Sequence, residues 1–212
     1  NDGKLDIVAG NTGLNFKWKA SLEKPIKIYL DDFDENEQLD QLIFYDYFGK
    51  YVPFASKDKL VQQIPSLKKK FKNYKSFSKV ETIFDLTEKQ DSDILETKYI
   101  YELRSMIYIN NGANFRPQAL PNQAQMSTVE DIFIENDQLA FTGNYYGFVT
   151  ELGESSSNSG SIITLSKDGS INKVESLNLP KDFSGRKIIK LKEDNFLILS
   201  NNGKSYIVNS KN

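Results

Sequence analysis

The 212-residue chain contains no cysteine and no histidine. Without cysteine there is no disulfide framework, thiolate zinc site, iron–sulfur cluster or thiol nucleophile. Without histidine, Ser-His-Asp chemistry, imidazole bases and His-ligated metals are excluded as well. Apolar runs are short, none near the roughly 18 residues that cross a bilayer, so no membrane span is expected. Net charge is nearly absent too: 27 basic residues stand against 29 acidic ones, giving −2. That balance argues against a nucleic-acid partner. Carboxylates, amides, hydroxyls, Lys, Arg and Tyr remain for chemistry. The chain opens on Asn1-Asp2-Gly3-Lys4-Leu5-Asp6, which reads as the back half of a motif. The expectation is a fragment of a longer chain, with 1–212 as one domain.

Strand-like runs rich in Ile, Val, Tyr and Phe dominate both ends: Leu5 to Val8, Ile26 to Leu30, Leu39 to Tyr45, Lys50 to Phe54, Lys98 to Ile109, Phe115 to Leu120, Val129 to Glu135, Gln138 to Thr142, Ile162 to Leu165, Ile171 to Leu177, Arg186 to Leu191, Asn195 to Leu199 and Ser205 to Val208. Asn111-Gly112, Asp168-Gly169 and Asn202-Gly203 supply hairpin turns between them. Ile188, Leu191, Phe196, Leu197 and Leu199 are expected core. Residues 56–97 differ: Leu60, Ile64, Leu67, Phe71, Tyr74 and Phe77 recur at helical spacing. Pro65 divides this segment into two or three short helices. Ser78 and Glu81 have capping-box spacing, predicting a helix from about Lys79 to Leu86.

Charge is segregated. Residues 56–80 hold eight Lys and one Asp, whereas residues 81–96 hold six acids and one Lys. Lys68-Lys69-Lys70-Phe71-Lys72 reads either as an anion-binding patch or, preferred here because its acidic neighbour balances it, as the solvated face of a helix. Residues 31–46 carry seven acids and no base. Within them, Asp32-Phe33-Asp34-Glu35-Asn36-Glu37-Gln38-Leu39-Asp40 alternates oxygen donors in the manner of a calcium loop, in which several oxygens converge at ~2.4 Å on one hard cation. Asp32, Asp34, Asn36 and Asp40 are the candidate ligands, with the Gln38 carbonyl as a fifth. The competing reading is a solvated acidic turn, and Glu37, where such loops usually place Gly, favours it. Asp2 to Asp6 matches the end of a similar loop.

Aligning Asp2 to Asn11 with Asn36 to Tyr45 and Asn136 to Asn144 reveals an internal repeat, the third copy having Ala140 in place of the last acid. Such repeats signal stacked or radial β modules. Together with Ala9-Gly10-Asn11-Thr12-Gly13-Leu14-Asn15, Gln63 to Phe71, Asn110-Asn111-Gly112, Leu120 to Gln125 and Gly143-Asn144-Tyr145-Tyr146, they resemble FG-GAP or VCBS repeat proteins. The resemblance is to the C-terminal part of large ASPIC/UnbV-type members common in Bacteroidetes. It implies a mainly β chain forming part of an integrin-α-like β-propeller, with structural calcium in a blade loop. It also implies an extracytoplasmic location at the cell surface, outer membrane or periplasm. With the helical insertion at 56–97 set aside, the remainder supplies about four blades at ~42 residues each.

The resulting expectation is a non-catalytic recognition or scaffold module, packed against the rest of its parent chain and binding a glycan or protein ligand at the cell surface. Asn144, Tyr145 and Tyr146, with Phe148, form a candidate aromatic platform, unless these rings pack internally; Trp18 carries the same two readings. The rival is a glycoside hydrolase or lyase built on Asp, Glu and Tyr. No pair of carboxylates is identified by spacing as its catalytic couple.

Overall fold

The computed structural model describes residues 3–192, 195–201 and 203–209. Asp2 of the first loop and Asn202 of the third expected turn lie outside them. The first four strands are β1 (Ile7–Ala9), β2 (Ile26–Asp31), β3 (Asp40–Tyr47) and β4 (Lys50–Pro53). Four short helices follow: α1 (Lys57–Gln63), α2 (Leu67–Lys70), α3 (Tyr74–Phe77) and α4 (Ile83–Thr87). The remaining strands are β5 (Glu96–Ile100), β6 (Met106–Asn110), β7 (Phe115–Ala119), β8 (Val129–Glu135), β9 (Gln138–Gly143), β10 (Ser161–Leu165), β11 (Ile171–Ser176), β12 (Gly185–Lys190), β13 (Asn195–Ser200) and β14 (Tyr206–Asn209). The fold is mainly β, with 38% strand against 13% helix, in four antiparallel sheets of which none closes into a barrel.

The chain divides into two compact units, Trp18–Glu102 and the remainder. In Trp18–Glu102 one sheet has the order β4-β3-β2-β5. The helices lie in sequence between the two edge strands, and their apolar stripe packs on the sheet. Leu60, Ile64, Leu67, Phe71, Val80, Ile83 and Leu86 meet Tyr29, Leu42 and Phe44 in one buried cluster. Each such side chain contributes roughly 1.5–3 kcal/mol by leaving water. Of the residues at helical spacing Tyr74 is exposed, whereas Phe77 packs against the cluster with its ring 5.4 Å from that of Phe71.

Helix α4 starts later than the capping-box spacing predicts. Ser78 is helical in φ and ψ and closes α3, whereas Thr82 caps α4 by accepting the Asp85 N–H. Starting at Ile83 places Ile83 and Leu86 in the core. The reciprocal capping box forms instead at Asn73 and Ser76. The hairpin joining β3 and β4 turns through Phe48 and Gly49, both at positive φ (52° and 86°), with Tyr47 opposite Lys50. That is the type I′ pattern, which Asn-Gly fills best; here the first position is a Phe left 90% exposed.

The larger unit contains the sheets β1-β6-β7, β11-β10-β9-β8 and β12-β13-β14. The continuous strand expected from Lys98 to Ile109 is two strands, β5 and β6, which belong to different units. On β12 and β13, Ile188, Phe196 and Ile198 point inward and Leu197 is half-buried, whereas Leu199 and, just beyond β12, Leu191 are exposed. Two-residue alternation admits only every second apolar side chain to the core. Strands β8 and β12 are bulged at Glu130 and Arg186, and these two residues form an ion pair. Asp131 also pairs with Lys187 at 3.0 Å and accepts the Ile188 N–H at 2.7 Å, and Glu135 pairs with Lys190.

Candidate metal site

Strands β2 and β3 are in register with Asp31 opposite Asp40, so residues 32–39 form the loop between them. The acidic alternation produces a loop folded on its own backbone. Asp32 Oδ1 accepts the Asn36 N–H at 3.0 Å, and Oδ2 accepts the Glu37 N–H at 2.7 Å. Asn36 Oδ1 accepts the Gln38 N–H at 2.8 Å. Glu35 and Glu37 both take left-handed φ, 60° and 66°. The missing glycine at Glu37 therefore does not prevent the sharp turn; it adds strain of about 1–2 kcal/mol.

Carboxylate oxygens of Asp32, Asp34 and Asp40 lie within 4.8 Å of one another. Two oxygens on opposite sides of a calcium ion are separated by about 4.6–5.2 Å, twice the ordinary bond length, so this spacing fits one ion. Asp34 Oδ1 is buried and accepts no hydrogen bond within the protein. Asp40 is 9% exposed; its Oδ1 accepts from Gln63 Nε2 at 2.9 Å and its Oδ2 from the Phe33 N–H at 3.3 Å. Desolvation pulls the Asp32 carboxyl toward protonation, but the N–H groups of Glu37, Asn36, Glu35 and Asp34 outweigh it and hold its pKa below the ordinary value. The donor set is oxygen only, as a hard cation requires.

Three neighbours of the loop have no signal in the acidic motif. Gln63 ends α1, 23 residues from the carboxylate it holds. Lys89 places Nζ 2.9 Å from Asp31 Oδ2 and 3.3 Å from the Asp32 carbonyl, beside the ring of Phe33. Asp31, 8% exposed, donates no ligand to the cluster but accepts the Asp32 N–H at 2.8 Å. Asn36 and Gln38 sit exposed on the loop. The third repeat copy contains no comparable loop: Glu135 pairs with Gln138 across a two-residue turn, and Ala140 is buried within β9.

The second group of candidates is only partly available to a ligand. Asn144 is fully buried at φ 78°; its Oδ1 accepts from Ser127 Oγ and the Asn158 N–H, and its Nδ2 donates to the carbonyls of Asn158 and Phe183. Its role is structural, because every hydrogen-bonding group of the amide is spent internally. The preceding Gly143 is required by packing, since a Cβ there would lie 1.8 Å from the Thr128 carbonyl oxygen. Tyr145 packs edge-on against Phe148 at 4.6 Å, and the Tyr146 hydroxyl donates to the Lys181 carbonyl at 3.2 Å. Both are half-buried. Trp18 packs on Phe54 at 4.8 Å and Tyr45 at 6.4 Å.

Within the Lys-rich block, Lys70 pairs with Glu88 at 2.9 Å and Lys57 with Asp58 at 2.7 Å, while Leu67 and Phe71 are buried beneath. Among the described residues no helix is long and apolar enough to cross a membrane. Comparison of the chain with protein-family models, curated proteins and solved structures finds no match.

Proposed function

We propose that this chain is a non-catalytic recognition or scaffold module of an exported FG-GAP/VCBS-type repeat protein. Its antiparallel sheets act as blades of an integrin-α-like propeller, and the loop at 32–40 holds structural calcium. The internal repeat, two of whose three copies end in Gly-Asn (Gly10-Asn11 and Gly143-Asn144), and sheets of three or four strands support the blade reading. The observation carrying the calcium reading is Asp34 Oδ1, a buried carboxylate oxygen without a protein partner, set among Asp32 and Asp40. An anionic oxygen so placed is costly unless a cation neutralises it. Asp32, Asp34 and Asp40 would hold the ion, with the Asn36 side chain and Gln38 carbonyl completing an oxygen shell. The ion would supply positive charge to a net-negative loop and fix β2 against β3.

Calcium at about 100 times its Kd adds about 2.7 kcal/mol of stability, a rise in melting temperature of roughly 5–10 °C over a chelator control. Asp34→Ala is expected to abolish that rise. Identical melting curves with calcium and with chelator sink the calcium reading. Turnover of a polysaccharide by the chain overturns its non-catalytic assignment.

A further inference from the structure

A cleft of about 630 Å³ in the larger unit lies at the turn ends of two sheets. One side is formed by Asp6, Asn110 and Arg116 of the sheet β1-β6-β7, the other by the β8–β9 turn at Asn136-Asp137 and the β10–β11 turn at Ser166-Lys167-Asp168. Ile109 and Leu165 supply its apolar lining. The walls are tied in place. Asp6 Oδ1 accepts the Asn110 N–H at 2.8 Å, and Asn110 Nδ2 donates to the Leu5 carbonyl at 3.2 Å. Gln118 Nε2 of β7 donates to the Gly169 carbonyl at 3.1 Å, linking the two sheets, and the Leu165 N–H donates to the Asp137 carbonyl at 2.8 Å. Asp168 accepts both the hydroxyl and the N–H of Ser170, which keep its carboxyl below the ordinary value and therefore ionised.

Polar groups in this fixed frame remain uncommitted. The side chains of Asn136, Asp137, Ser166 and Lys167 make no hydrogen bond or ion pair with other described residues. Arg116 uses one guanidinium nitrogen, on Gln118 Oε1 at 3.3 Å. Donors and acceptors thus face the cleft together. An anion would meet Asp6, Asp137 and Asp168; a metal cation would meet Arg116 and Lys167; an apolar ligand would find only Ile109 and Leu165. A ligand whose every polar group both donates and accepts matches all of them, and a sugar hydroxyl is such a group. The volume falls within the about 300–1,000 Å³ of small-molecule sites.

We infer that this cleft is a binding site for a neutral oligosaccharide, with Asp137, Lys167 and Arg116 bonding its hydroxyls. The inference rests on the recognition-module reading and gives it a site distinct from the Tyr145–Tyr146 platform.

The test is calorimetric titration of the full chain with neutral hexasaccharides (gluco-, manno- and xylo-oligomers), with a uronic-acid oligomer as the anionic comparison. A neutral hexamer is expected to bind, and Asp137→Ala and Lys167→Ala are each expected to weaken it about tenfold, one hydrogen bond's worth. Circular dichroism spectra and melting temperatures should be unchanged, since both side chains are exposed. Binding that survives both substitutions but is lost in Tyr146→Ala overturns the cleft while leaving recognition intact. Preference for the acidic oligomer overturns the neutral-ligand assignment. Absence of binding to any neutral hexamer overturns the inference, and the chain's retention on outer-membrane extract then decides separately whether recognition itself survives.

Discussion

Asp85 shows what one side chain does in this fold. It accepts the Glu81 N–H at 3.0 Å and the Thr82 hydroxyl at 2.9 Å while its own N–H donates to Thr82 Oγ1. The Glu81 N–H is the main reason its carboxyl lies below the ordinary 3.8; desolvation opposes the shift and Thr82 assists it. A carboxyl with a lower pKa in the folded than in the unfolded chain stabilises fully above the unfolded value. That contribution fades as pH falls through the depressed folded value. Urea titrations between about pH 5 and pH 2.5 should therefore show wild type losing stability more steeply below pH 3.8 than Asp85→Asn. Parallel curves refute the assignment. At this scale Asp32, Asp34 and Asp40 are legible in sequence, because their alternation in a short loop between two strands brings their oxygens within 4.8 Å of one another. Gln63 and Lys89 are not, since their meeting with Asp40 and Asp31 depends on how α1 and the segment after α4 fold back. Asn144 was misleading for a related reason: an Asn between Gly and Tyr looks like a loop surface, and nothing local reports that its amide is enclosed.

Elements were the most legible level. Twelve of the thirteen apolar runs each become one strand, their ends shifted by a residue or two, because period-two patterning and turn residues act locally. The thirteenth splits, since residues 101–105 leave one sheet before β6 joins another. The start of α4 is not legible locally: Ser78 and Thr82 both precede an acid by three residues, and only burial of Ile83 and Leu86 chooses between them. The β3–β4 hairpin carries the clearest local conflict, a bulky exposed Phe48 at positive φ. Phe48→Asn should stabilise the chain by about 1 kcal/mol, read as a higher denaturant midpoint with unchanged slope. A lower midpoint would mean that the aromatic tip is held by contacts of its own.

For the whole molecule, the division into two units has a built-in optical probe. The single Trp, Trp18, packs on Tyr45 and Phe54 of its own unit. Leu86, fully buried between helices and sheet there, and Phe141, fully buried in the larger unit, are the counterparts to compare. Leu86→Ala should cost about 2–5 kcal/mol and Phe141→Ala about 3–5 kcal/mol. If the units unfold separately, Leu86→Ala shifts the Trp18 fluorescence transition and Phe141→Ala leaves it in place while moving the circular dichroism transition. Coincident shifts in both variants establish one cooperative transition.

The Gln63–Asp40 hydrogen bond changes what the helical segment is. By sequence it reads as an optional loop thrown out between two strands, the kind of insert that can be shortened or excised. Yet its first helix supplies the amide for an almost buried carboxylate at the head of β3. Cutting the helices away would take the Gln63 donor from Asp40 Oδ1 and leave only the Phe33 N–H on Oδ2, a loss of about 1–3 kcal/mol, and would expose Leu42 and Phe44 on the same face. The segment is therefore not detachable: a minimal version of this protein has to keep its helices to keep its acidic loop.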